Sequence, residues 1–324
     1  MPVTPLLHVS DLTVTLGARA ARAEVIAGLS FSLEAGRTLG VVGESGCGKS
    51  MTALAVMGLL PRPNQVGGRM RLNGIDLRDM ASEDRRRLRG TTMAMIFQEP
   101  MTALNPVATV GQQIAEMLIV HENASTDVAW GKAIELLERV GIADPARRAT
   151  AYPHQLSGGM RQRVMIAIAI ACKPALLIAD EPTTALDVSV QAQILDLLLE
   201  LQRDEGMAML FISHNLGVVS EMADDILVMY SGRAVEYGPT QDVLRAPRHP
   251  YTEGLIATLP DINRRQPMLP VIEGRVIDPR RRPPGCAFAP RCDRVIDDCH
   301  AAVPDLLAVA PGHRAACIRM AVPA

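Results

Sequence analysis

Eight consecutive residues, Gly43-Glu44-Ser45-Gly46-Cys47-Gly48-Lys49-Ser50, bring together the groups needed to hold a polyphosphate. The pattern is a glycine, four residues, then Gly-Lys-Ser. Its backbone N–H groups can wrap anionic oxygens only where no Cβ intrudes, and a helix that follows turns its positive end toward them. Lys49 offers a charge for β- and γ-phosphates, and Ser50 offers a hydroxyl for Mg2+. The expected ligand is a nucleotide. A second segment, Leu156-Ser157-Gly158-Gly159-Met160-Arg161-Gln162, places a serine and two glycines at another helix start and makes a second anion site. One phosphate tail does not need two cradles from one chain, so this segment is expected to face another subunit.

These residues need elements to position them. Thr38–Val42 reads as a buried strand leading into the first loop, and the helix after it, with Leu54, Met57 and Leu60 on one face, is predicted to stop at Pro61. The stretch from Leu7 to Leu16 alternates, Leu29–Leu33 alternates again, and Arg69–Leu72 before Asn73-Gly74 reads as a hairpin strand; together they predict an antiparallel layer. Met93–Phe97 is a buried strand that delivers Gln98 to its carboxyl end, where such sheets bind ligands. Ile114, Met117 and Leu118 then have helical spacing, and Trp130, Ile134, Leu137 and Val140 form a second stripe between a Thr126 cap and Gly141. Residues 99–159 therefore read as a helical insertion in an α/β core, with Trp130 a packing residue. The helix Arg163 to Cys172 follows, then the apolar strand Leu176–Ala179 ending in Asp180-Glu181, and Met209–Ser213 ending at His214.

The chain has 324 residues, enough for one large domain plus a smaller appendage, and 48% of them are apolar. A formal charge of −2 gives no reason to expect nucleic acid or anionic lipid as a partner, and Arg85, Arg86, Arg87 and Arg89 read as a solvated face. No apolar run is long enough to span a membrane, and Met1–Ser10 lacks the character of an export signal. A cytoplasmic location is expected, with the six cysteines reduced or metal-bound rather than paired.

In their order over residues 43–214, these segments resemble the ATP-binding cassette (ABC) family, whose Leu-Ser-Gly-Gly-Gln signature is close to Leu156–Gln162. The resemblance implies an α/β nucleotide-binding domain with a RecA-like core, an antiparallel β layer and a helical subdomain. It implies ATP and Mg2+ as ligands, bound by Gly43, Ser45, Gly46, Cys47, Gly48, Lys49, Ser50 and Met51. Asp180, Ser50 and Gln98 would hold Mg2+, Glu181 would polarise the attacking water, and His214 would be the switch histidine near the γ-phosphate. Ala185-Leu186-Asp187 would cross a dimer interface, and Ser157, Gly158, Gly159 and Gln162 would reach a neighbour's nucleotide. Two positions depart from the family pattern. Leu16 stands where an aromatic residue usually stacks on adenine, and Met51 stands where many members have threonine. Cys47 is either a reactive thiol or a small filler.

Beyond Gly238 the chain is rich in proline and arginine, with Pro239, Pro247, Pro250, Pro260, Pro267 and Pro270, and reads as an appended segment rather than more sheet. It carries Cys286, Cys292, Cys299 and Cys317, separated by five, six and seventeen residues. Four thiolates suit zinc or an iron-sulfur cluster, and the spacing does not choose. His300 and His313 nearby read as surface residues. Pro247–Thr252, Ile96–Pro106, Tyr152–Gln155 and the cysteine tail resemble ATPase subunits of dipeptide and oligopeptide importers. That resemblance implies a domain over 1–245 and an extension over 246–324 holding a [4Fe-4S] cluster, with zinc or free thiols the alternatives. It further implies pairing with a second, different ABC ATPase, two membrane permease subunits, an extracytoplasmic binding protein acting indirectly, no nucleic acid, and a peripheral position on the cytoplasmic face of the bacterial inner membrane. Nickel or another small solute is the alternative cargo. An ATP-driven nucleic-acid clamp and a redox sensor are rival readings.

Overall fold

The computed structural model describes residues 4–18, 22–184, 186–259 and 271–320. The expectations for Met1, Ala185, Pro260, Pro267 and Pro270 lie outside these residues. The chain divides into two compact units, one of Met1–Glu34, Thr38–Arg78 and Phe211–Ala324, the other of Ala35–Arg37 and Asp79–Leu210.

The first unit opens with β1 (Leu7–Leu16), β2 (Ala23–Leu33), β3 (Thr38–Val42), α1 (Lys49–Met57), β4 (Asn64–Leu72) and β5 (Ile75–Asp76). The second unit carries α2 (Ser82–Leu88), β6 (Met93–Ile96), α3 (Pro100–Ala103), α4 (Val110–Glu122), α5 (Thr126–Arg139) and α6 (Pro145–Ala149). It continues through α7 (Gly158–Ile170), β7 (Leu176–Asp180) and α8 (Val188–Glu205), and β8 (Ala208–Ile212) leads back to the first unit. There follow α9 (Leu216–Met222), β9 (Asp225–Tyr230), β10 (Arg233–Pro239), α10 (Thr240–Arg245), α11 (Pro250–Ala257), β11 (Leu307–Ala310) and β12 (His313–Ala315).

In the first unit β2-β1-β4-β5 form an antiparallel sheet, as the alternating runs require. Leu7, Val9, Leu12 and Val14 of β1 are all buried although Val9 and Leu12 are three apart. A register shift between them, with Asp11 at φ +49°, returns the apolar side chains to one face. The same unit holds the strand order β11-β12-β10-β9-β3, with β3 and β9 parallel and every residue of β3 buried. In the second unit β8, β7 and β6 are neighbours in that order, and β6 pairs with β7 in parallel. Between β6 and β7 the described residues form helices and turns. Trp130 lies across Gly111 of α4: a Cβ there would start 2.9 Å from the indole Cη2, so the close approach requires glycine.

Several boundaries differ from expectation. Helix α1 stops at Gly58, whose left-handed conformation caps it, before Leu60 and Pro61 are reached. Helix α5 is preceded by Ser125, which makes no side-chain cap, rather than by a Thr126 cap. Helix α7 starts at Gly158, not Arg163, because Ser157 caps it directly.

The tail is not wholly outside the sheet. Strand β12 pairs antiparallel with β10 at Glu236 and Tyr237, and β11 pairs with β12. His313, expected on the surface, is buried there and hydrogen-bonds Glu236 at 2.7 Å. The fully buried Glu236 carboxylate also accepts the backbone N–H of Arg248 at 2.7 Å and of His249 at 3.0 Å. Each bond satisfies a group that would be costly to bury alone, which ties α11, β10 and β12 together.

Candidate functional site

In the first unit, buried β3 delivers the chain to Gly43, which has φ +151°. A Cβ on Gly43 would stand 2.3 Å from the Met229 carbonyl oxygen and 2.7 Å from Cys47 Sγ, so only glycine lets the loop lie this close to β9. Gly46 and Gly48 also have positive φ, +82° and +107°. The loop is closed by Cys47 N–H donating to the Glu44 carbonyl at 3.3 Å and by Gly232 N–H donating to the Cys47 carbonyl at 2.8 Å. Lys49, only 5% exposed, donates from Nζ to the carbonyls of Gly43 at 2.7 Å and Glu44 at 3.2 Å. Two carbonyls orient the ammonium but bring no opposite charge, and a polyphosphate supplies one. Ser45 and Gly46 are exposed, while Gly48, Ser50 and Met51 are half-buried. Cys47 is buried and its thiol is pushed up by that burial, so the filler reading holds over the reactive one. His214, after β8, is exposed, and Asn215 beside it caps α9 by accepting from Gly217 and Val218 N–H.

In the second unit, every residue of β7 is buried, including Asp180 at its end. Glu181 follows at φ +48°, a left-handed conformation that a non-glycine residue adopts only when its surroundings enforce it. Its Oε2 accepts from Gln98 Nε2 at 3.2 Å and from Thr184 Oγ1 at 2.9 Å. Gln98 and Glu181, 83 positions apart in the chain, thus meet at one carboxylate oxygen. Thr184 was missed; its only sequence signal is a hydroxyl three residues after Glu181. A half-buried carboxylate fixed by two donors can orient a water molecule and take its proton.

The second Ser-Gly-Gly segment lies in the same unit. Ser157 and Gly158 are exposed at the start of α7, and Ser157 Oγ accepts the Met160 N–H at 3.3 Å. Gly158 lies beside Leu186, and Gly159 beside Val190, so the segment sits against the start of α8. Exposed Asp187 caps that helix, accepting from Val190 N–H at 2.9 Å and Ser189 Oγ at 2.7 Å. The Ser189 bond, followed by the Val190 N–H, holds its carboxyl below the usual range. Gln162 departs from expectation: it is only 2% exposed and its side chain is turned inward.

The four tail cysteines do not form a metal centre. They line one small cavity together with Phe288 and His249, and all are free thiols. Among the described residues no group of three or more His, Cys, Asp or Glu is arranged to hold a metal ion. Burial raises the thiols of Cys286, Cys292 and Cys317. The iron-sulfur expectation and the zinc alternative both fall on this geometry. Among the described residues, no helix is long and apolar enough to cross a membrane.

Residues 26–184 match the family described as ABC transporter, and residues 235–299 match the family described as oligopeptide/dipeptide transporter, C-terminal region. The chain is 49% identical to a dipeptide transport ATP-binding protein of Escherichia coli, over 96% of each chain. Among solved structures, a dimeric ATP-binding cassette in a post-hydrolysis state with ADP and Pi overlays with a TM-score of 0.65 at 24% identity, covering 72% of this chain and 98% of its own. A cassette from Clostridium perfringens, part of an ABC transporter complex, gives 0.62 at 25% identity, covering 75% of this chain and 91% of its own.

Proposed function

The chain belongs to the ABC transporter family and is one of its ATPases, and from that premise we propose that it powers import of dipeptides or short oligopeptides through a membrane permease. The cargo follows from the relatives' names and from residues 235–299, which match the peptide-transporter tail. It works with membrane permease subunits, two in number in this reading, at the cytoplasmic face of the membrane. A second, different cassette completes the pair, and an extracytoplasmic binding protein hands over the peptide. The cassette domain is assigned to 1–245, with its helical part at 99–159, and the extension to 246–324.

The loop Gly43–Ser50 holds the phosphates, with Lys49 on the β- and γ-oxygens. Ser50 in the first unit, and Asp180 and Gln98 in the second, carry the oxygen donors that would suit Mg2+, a hard divalent cation that would neutralise charge on the phosphates. Glu181 orients the attacking water, Gln98 and Thr184 hold Glu181, and His214 senses the γ-phosphate. Ser157 and Gly158, with Asp187 nearby, face the partner's nucleotide. ATP therefore closes the pair and hydrolysis releases it, and the permease follows that cycle. The observation that carries this reading is the Gln98–Glu181–Thr184 cluster at the end of a buried strand. Glu181→Gln is expected to keep ATP affinity while lowering turnover about 100-fold or more in a phosphate-release assay. Full turnover in that variant would move the base elsewhere.

A further inference from the structure

Glu44, the second residue of the phosphate loop, has its hydrogen-bonding groups engaged, and the outer ones are taken by the tail. Its N–H donates to Tyr251 Oη at 2.8 Å. Its carboxylate meets the Arg291 guanidinium through two parallel bonds, Nη1 to Oε2 at 2.6 Å and Nη2 to Oε1 at 3.0 Å. Its carbonyl accepts from Lys49 Nζ and from Cys47 N–H. One residue thus connects the phosphate-binding lysine to two side chains that lie more than 200 positions further along the chain.

Arg291 is built in rather than draped over the surface. Its side chain is 3% exposed. The remaining donors reach the carbonyls of Glu273 at 2.7 Å and Ile272 at 3.1 Å, and Tyr230 Oη at 3.4 Å. The guanidinium lies over the rings of Tyr230 and Phe288, 5.8 and 6.0 Å from their centroids. Tyr230, Tyr251 and Phe288 pack edge to face or tilted on one another, with centroids 4.8 to 5.4 Å apart. A bidentate pair on such a platform fixes direction as well as distance, and a lysine or glutamine cannot reproduce it.

We propose that Arg291 and Tyr251 of the C-terminal extension are positioning residues for ATP binding, holding Glu44 so that the phosphate loop and Lys49 keep the geometry a nucleotide triphosphate requires. The extension is thereby part of the nucleotide site's support, and any change in its packing is felt as a change in ATP affinity. This rests on the reading of Gly43–Ser50 as the ATP loop.

The test measures equilibrium binding of a fluorescent ATP analogue, and KM against kcat, in the full-length protein with its partner cassette. Arg291→Gln and Glu44→Gln are each expected to weaken binding about tenfold, with kcat changed far less than KM. The double variant is expected to be no weaker than either single one, because both remove the same pair. Tyr251→Phe keeps the buried ring and removes one acceptor; it is expected to weaken binding in the same direction with a thermal midpoint near that of the parent, and it carries the test if Arg291→Gln does not fold. Unchanged affinity in folded Arg291→Gln or Tyr251→Phe, or losses that multiply in the double variant, would overturn the proposal. Lys49→Ala separates the two readings: if it leaves ATP binding intact, the loop assignment itself fails, whatever Arg291 does.

Discussion

Glu181 and Leu16 are the residues at which chemistry and local structure press hardest on each other. Glu181 keeps a left-handed backbone that costs on the order of 1 kcal/mol or more, and that angle presents its carboxylate to Gln98 and Thr184. Leu16 ends β1, paired with Ala23 and Asn64, and is half-buried. If it stands where an aromatic ring usually stacks on adenine, Leu16→Tyr should tighten ATP binding about tenfold, since base stacking is worth roughly 1 to 3 kcal/mol. Isothermal titration checks this, and an unchanged Kd refutes the placement. The loop glycines, Lys49 and Gln98 stand out in the sequence as candidates because their types and order admit few uses. Gln162 was misplaced because a helix start does not reveal which of its next residues turn inward, and in α7 the inward face includes Gln162 and Val164.

At the scale of elements, strands read from alternation fall where expected, and helix ends only in part: α5 closes just before the expected Gly141, while α1 and α7 depart from their expected ends. Alternation and apolar runs report burial directly, whereas an end depends on one capping contact, as at Gly58 for α1 and Ser157 for α7. The two tail strands were invisible because three or four residues beside prolines and arginines carry no period; β12 exists through its pairing with β10 and the buried His313–Glu236 bond. The cysteine spacing was legible only as a donor count, and a count says nothing of where the sulfurs point. Helix α11 yields a pH prediction. His249 precedes it, buried, with Nδ1 accepting the Tyr251 N–H at 3.1 Å, and burial lowers its pKa from 6.5 to about 3. Between those values the unfolded chain takes up a proton that the folded chain refuses, so stability falls as pH drops through the window, by at most about 1.4 kcal/mol per unit. Thermal midpoints from pH 7 to pH 4 should fall more steeply for the parent than for His249→Gln. Equal slopes would mean that other groups dominate acid unfolding.

For the whole molecule, the function proposed above has ATP draw two cassettes together, the phosphate loop of one meeting the Ser157-Gly158 corner of the other. That corner is solvent-exposed at the start of α7, as a surface that must meet a neighbour requires. The extension, read from sequence as an appendage, instead supplies β12 to a sheet and Arg291 to the phosphate loop. Its place in the fold rests on contacts between residues far apart in the chain, which composition and periodicity do not encode. The most direct measurement is the mass in solution of the Glu181→Gln protein with its partner cassette, by light scattering, with and without ATP and Mg2+. The account predicts that ATP joins the two cassettes into one particle, and that adding Ser157→Arg prevents this while ATP still binds. Separate cassettes in saturating ATP, or a particle that forms equally well with Ser157→Arg, would contradict it.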